Sequence, residues 1–146
     1  MASLADPSST SAPAALQFAR TANPAPLAAD ARTALLADPG FGARFSDHMV
    51  TIDWTEGHGW HDAAVLPYGP IALDPAASVL HYAQEIFEGL KAYRQPDGAL
   101  ALFRPHANAA RLNASAQRLA MPELPPELFI AAIRELVNEC VWIRMS

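Results

Sequence analysis

Cysteine is almost missing from this sequence. Cys140 stands alone in 146 residues, so no internal disulfide can form, and a reducing, cytoplasmic setting fits. Lysine is equally scarce: Lys91 is the only one, against nine arginines, so no other residue of this chain could form a Schiff base. No apolar run is long enough to span a bilayer. The N-terminus lacks a basic start followed by an apolar core, so no secretory signal is expected. The net charge of −5 argues against a nucleic-acid partner, because binding a phosphate backbone needs a basic patch. The seven glycines are scattered, and none forms GxGxxG or a P-loop. There is no HExxH and no CxxC. Half of the residues are apolar, but many are alanine, which buries little area. A single domain with a thin core follows.

Residues 1–32 are rich in Ala, Pro and Ser. Proline removes backbone donors and breaks periodicity, so this stretch reads as a disordered or loosely attached tail. The pattern changes from Phe41. Val50, Ile52 and Trp54 alternate with Thr51 and Asp53, which predicts a strand over 48–54 with one buried face. Glu56 to Gly59 is a turn, and His61 to Leu66 a second strand. Ile71 to Leu73 is short and extended. A helix is expected over Ala76 to Phe87 or less, with Pro75 near its first turn. Gln95-Pro96-Asp97-Gly98 joins a hairpin over 89–103, since it combines a fixed φ, an Asx bond and a residue free to take φ > 0. Helices follow at His106–Leu119 and Pro125–Cys140. On the second, Leu128, Phe129, Ala132, Ile133, Leu136, Val137 and Cys140 share one face. Strands, then a hairpin, then helices predict an α+β domain: an antiparallel sheet with flanking helices.

Few side chains point to chemistry. His58 and His61 have a spacing that could ligate a metal, but no further ligand is evident beyond the neighbouring Asp62, so no metal site is expected. Cys140 lies on an apolar helix face and reads as a structural thiol. Alternation sets Lys91 and Tyr93 on one face of their strand, with Leu90, Ala92 and Arg94 on the other. Nothing nearby in sequence would activate the Lys91 amine, so it reads as a solvent-facing strand residue. Asn108, Arg111, Ser115 and Arg118 form one polar stripe at helical spacing. Such a stripe is ordinarily solvated, and becomes an anion site if it faces a cleft where guanidinium can clamp phosphate. Tyr82 and Phe87 read as packing residues. Glu85 and Glu88, three apart, could share a helix face, and a solvated face is the simplest reading.

Several segments carry a resemblance. They are Phe45-Ser46-Asp47-His48-Met49, Gly59-Trp60, Pro67-Tyr68-Gly69-Pro70, Leu73-Asp74-Pro75, the long block Leu80 to Arg94, Leu102-Phe103-Arg104-Pro105 and Asn108-Ala109-Ala110-Arg111-Leu112. From Phe41 to Pro122 the chain resembles the small N-terminal domain of branched-chain aminotransferases, which are fold-type IV pyridoxal-phosphate (PLP) enzymes. The resemblance implies that residues 33–140 form that small domain. It implies that Arg111 binds the PLP phosphate and that Tyr82 and Phe87 line the pocket for a branched side chain, with Phe41 or Phe45 as a further wall. It also implies that Lys91 is not the Schiff-base position. The family moves the amino group of leucine, isoleucine or valine to 2-oxoglutarate, and the full-length enzyme is expected to be a homodimer. The last stretch, Val141 to Ser146, departs from the family pattern and suggests a truncated or frameshifted reading frame. A fragment without the cofactor-holding lysine has no catalytic residue of its own and is expected to be inactive. The alternatives are a non-catalytic interaction module or the product of a degraded gene.

Overall fold

The computed structural model describes residues 16–38, 40 and 42–139. Their elements in order are β1 (Ala19–Arg20), α1 (Ala29–Ala37), β2 (His48–Thr55), β3 (Gly59–Pro67), α2 (Ser78–Tyr82), β4 (Ala92–Arg94), β5 (Leu100–Leu102), α3 (Pro105–Arg118) and α4 (Pro126–Glu139). The fold is α+β, as the element order predicts. Cys140 and the stretch 141–146 lie outside the described residues, as do 1–15 and Phe41.

β3 is the middle strand of a three-stranded sheet ordered β1-β3-β2. β2 and β3 form an antiparallel hairpin in which Val50 faces Val65 and Trp54 faces Trp60. His58 N–H donates to the Thr55 carbonyl at 3.0 Å and closes the turn, while Gly57 adopts φ 79°, which a side chain would resist. The register slips between Thr51 and Asp53. Two β3 residues, Asp62 and Ala63, there oppose Ile52 alone, and Asp62 takes φ 49°. This bulge bends the hairpin locally. The single buried face expected for β2 is not seen. Val50 and Ile52 are half-buried, but Trp54, one residue from the turn end of the hairpin, is exposed.

β1 pairs parallel with β3, Ala19 opposite Ala64 and Arg20 opposite Val65, so the sheet is mixed rather than purely antiparallel. It occupies part of the stretch read as a loose tail, and α1 begins there too. Composition cannot register what holds this segment, because its partners are distant. Thr21 N–H donates to the Val65 carbonyl at 3.0 Å, Asn23 Nδ2 donates to the Asp47 carbonyl at 2.9 Å, and Arg20 pairs with Glu135 and Glu139 of α4.

α4 packs against β2, and α3 against α4. Among the described residues the fully buried ones are Ala63 and Val65 of β3, Ala109 and Ala116 of α3, and Ile130 of α4. Three of these five are alanine, so the core is as thin as the composition suggests. In α4 only Pro126, Glu127, Arg134 and Asn138 are exposed. Ile130, absent from the apolar face read off the sequence, is its deepest residue. Asn113 pins the chain after α3 by taking the Leu124 N–H at 3.0 Å and donating to its carbonyl at 2.9 Å.

The helix expected over 76–87 is reduced to Ser78–Tyr82. Asp74 caps a turn through Ala76 N–H at 2.7 Å, which delays the start. Ala83 takes φ 48°, a left-handed conformation that ends the helix. Residues 83–91 then run without regular structure into the β4–β5 hairpin, where Ala92 pairs with Leu102 and Arg94 with Leu100. Its turn forms as the sequence dictates: Ala99 N–H donates to Asp97 Oδ1 at 2.9 Å and Gly98 takes φ 85°. Ile71 to Leu73 joins no strand. No described helix is long and apolar enough to cross a membrane.

Candidate functional site

Arg111 sits in the middle of α3, where the helix passes the irregular segment 83–91. Asn108, one turn earlier, points the same way. Both reach Glu88. Arg111 Nε donates to Glu88 Oε2 at 2.7 Å, and Arg111 Nη2 donates to Oε1 in a short contact. Asn108 Nδ2 donates to the same Oε1 at 2.8 Å and to the Gly89 carbonyl at 3.0 Å. The Gly89 N–H donates to Oε1 at 3.1 Å. One carboxylate thus takes four donors from three residues.

Burial in this pair is lopsided. The Glu88 side chain is 4 % exposed and that of Arg111 68 % exposed. Glu88 is the enclosed member, and Arg111 reaches it while remaining open to solvent. The hydrogen bonds of Arg111 lower the Glu88 pKa from 4.5 to about 2, aided by Asn108, the Arg111 charge and the Gly89 N–H, and opposed by burial. The same contact raises the pKa of Arg111.

The rest of the stripe does not join this cluster. Ser115 is half-buried, and Arg118 is exposed in the last turn of α3. Glu85 and Glu88 do not share a helix face, because residues 83–91 are not helical; Glu85 is exposed while Glu88 is committed to Arg111. Spacing along the sequence does not reveal the role of Glu88. A period of three implies a shared face only on a helix, and the left-handed turn at Ala83 removes that premise.

Tyr82 closes α2 and is 83 % exposed, and Phe87, beside Glu88, is 90 % exposed. Among the described residues no ring contact joins them; Tyr82 meets His81 edge-on, and the Phe87 ring lies over Gly89. Phe45 is exposed and stacks on Tyr68 with ring centroids 4.9 Å apart. Lys91 is exposed and Leu90, Ala92 and Arg94 half-buried, the alternation expected of this strand. Both ring nitrogens of His61 are engaged, with Thr55 Oγ1 and Asp62 Oδ2, each at 2.9 Å. No group of three or more metal-ligating side chains occurs among the described residues. A cleft of about 590 Å³ lies between the β2–β3 hairpin and α3, lined mainly by Ile52, Trp54, Trp60, Leu112 and Met121. Arg111, Glu88, Tyr82 and Phe87 are not part of it.

The open side of the Arg111 guanidinium is chemically suited to a phosphate. It is permanently charged, planar and held at one edge, and it retains N–H groups that no described residue uses.

No family model matches the chain. Individual relatives do. The chain is 64 % identical over 114 residues to a probable branched-chain-amino-acid aminotransferase of Streptomyces coelicolor, covering 78 % of this chain and 32 % of that protein. It is 60 % identical over 122 residues to a branched-chain-amino-acid aminotransferase of Mycolicibacterium smegmatis, covering 84 % and 33 %. A Mycobacterium tuberculosis protein of the same name is 59 % identical over 131 residues, covering 88 % and 35 %. The chain therefore spans about a third of the length of the relatives it matches.

Proposed function

We infer a cofactor- and substrate-holding part from one premise: the chain belongs to the branched-chain-amino-acid aminotransferase family. The observation that carries the inference is 59–64 % identity across 78–88 % of the chain. In this reading the chain is the small N-terminal domain of an enzyme that moves the amino group of leucine, isoleucine or valine to 2-oxoglutarate in the cytoplasm. PLP, when bound, supplies the electron sink for that exchange. Arg111 holds its phosphate through the guanidinium face turned away from Glu88. Tyr82 and Phe87 wall the pocket for the branched side chain, and their apolar surfaces favour aliphatic over polar substrates by about 0.8 kcal/mol per buried methylene. Their exposure supports this role, since a pocket wall must be free to meet substrate.

The chain alone lacks a suitable lysine. Lys91 is its only one, and it stands exposed just before β4. Transamination needs a lysine both to hold the cofactor and to move the substrate α-proton. The 146-residue chain, mixed with PLP, leucine and 2-oxoglutarate, is expected to give no glutamate above background. Sustained glutamate production would overturn this reading.

A second reading is favoured by the same exposed side chains. Ile71, Leu73, Leu80, Tyr82, Phe87 and Phe103 all stand open, and apolar surface of this kind suits an interaction module that pairs with a full-length partner or with itself. Light scattering distinguishes the two readings: a monomer at every concentration argues against self-pairing.

A further inference from the structure

Arg111 offers five N–H groups in a fixed plane. Glu88 takes two of them, one from Nε and one from Nη2. Both lie on one edge of the guanidinium, and two bonds to one edge fix the orientation of the whole plane. The two N–H groups on Nη1 and the second on Nη2 remain on the open side. The holding group is itself held, since Asn108 and the Gly89 N–H bind the same carboxylate.

We propose that Glu88 is a positioning residue: its enclosed carboxylate grips the Nε–Nη2 edge of Arg111 and so presents the adjoining Nη1–Nη2 edge to a phosphate. The proposal rests on the reading of Arg111 as a phosphate ligand and adds to it a residue that never touches the ligand. It makes a prediction that charge alone would reverse. Glu88 is an anion close to where a second anion would bind, so on Coulombic grounds its neutralisation should tighten phosphate binding. If Glu88 instead sets the guanidinium plane, neutralisation frees a long side chain to swing, and binding weakens. The geometry favours the second outcome. Glu88 occupies one edge and leaves the other open, and its burial shows a group built into the fold rather than a mobile competitor.

The test uses the 146-residue chain and pyridoxine 5′-phosphate, which has no aldehyde and cannot react with Lys91. Unphosphorylated pyridoxine and inorganic phosphate serve as controls. Binding is followed by calorimetry, and the Arg111 Nε–Hε resonance by NMR. Arg111→Gln is expected to abolish the advantage of the phosphorylated ligand. Glu88→Gln, which keeps the shape of the side chain, is expected to weaken binding about tenfold, the lower end of what loss of an orienting partner costs at metal sites. It should also broaden or erase the Arg111 Hε signal, which a charge effect alone would leave in place.

Should Glu88→Gln fail to fold, Asn108→Ala decides the matter. It loosens Glu88 without changing any charge, and a weakening of about threefold is expected, less than for the full loss of the orienting partner. Unchanged or tighter binding in the folded Glu88→Gln variant, or in Asn108→Ala when that variant must decide, overturns the positioning role. If Arg111→Gln binds pyridoxine 5′-phosphate as well as the native chain does, or if the native chain prefers neither phosphate ligand, the reading of Arg111 fails and the role of Glu88 with it.

Discussion

Glu88 carries a pH dependence whose sign is fixed by its partners. Its carboxyl is held at about 2 in the folded chain, below the ordinary 4.5, chiefly by the Arg111 hydrogen bonds. A group with a depressed folded pKa adds stability that is fully present above the unfolded value and is lost as pH falls through the folded one. The native chain should therefore lose melting temperature between about pH 4.5 and about pH 2. Glu88→Gln has no proton to take up there, so it should melt below the native chain at neutral pH and approach it toward pH 2. Parallel melting curves across this window would mean that the pair adds nothing to stability. At this scale the sequence was partly legible. Arg111 stands out as a candidate anion ligand through its stripe on a helix and the family resemblance. Glu88 was hidden, because its role depends on a backbone turn at Ala83 that no pattern in Leu80 to Arg94 announces.

The elements follow local rules where local chemistry dominates, and depart from them where distant partners do. Pro96, Asp97 and Gly98 dictate their turn within four residues, so the β4–β5 hairpin was readable. β1 was not, because Ala19 and Arg20 owe their conformation to β3 and α4. The end of α3 shows a local rule being broken. Met121 N–H donates back to the Ala116 carbonyl at 2.9 Å and Ala120 N–H to the Gln117 carbonyl at 3.2 Å, the bonding of a Schellman cap. The left-handed position of such a cap usually holds glycine, but here Ala120 occupies it with φ 51°. A methyl group there costs about 1–2 kcal/mol, and part of that relief is offset by the greater freedom of glycine in the unfolded chain. Ala120→Gly is expected to stabilise the domain by about 0.5–1 kcal/mol, read as a higher urea midpoint at unchanged slope. A lower midpoint would show that the left-handed turn is not retained in solution.

Across the whole molecule, the residues that hold the fold and those proposed to face a ligand are different sets. Among the described residues Val65 and Ile130 are the largest fully enclosed side chains, whereas Tyr82 and Phe87 stand in the open. This separation gives a contrast that one set of denaturation curves can test. Ile130→Ala removes buried methylene groups and leaves a cavity between α4 and its neighbours, which should cost about 2–4 kcal/mol. Domains of ordinary stability have about 5–15 kcal/mol in all, so a chain with so few enclosed residues should be visibly destabilised by that one change. Tyr82→Ala and Phe87→Ala remove more atoms, but atoms already in water, and each should shift stability by less than about 0.5 kcal/mol. If either exposed aromatic proves as costly as Ile130, its ring is buried in solution against a surface beyond the described residues or against a second chain, and concentration-dependent unfolding would separate these two cases. If both are silent in stability, as expected, then two large apolar rings are held in water at no benefit to the fold. That is the arrangement that the branched-chain pocket proposed for them requires.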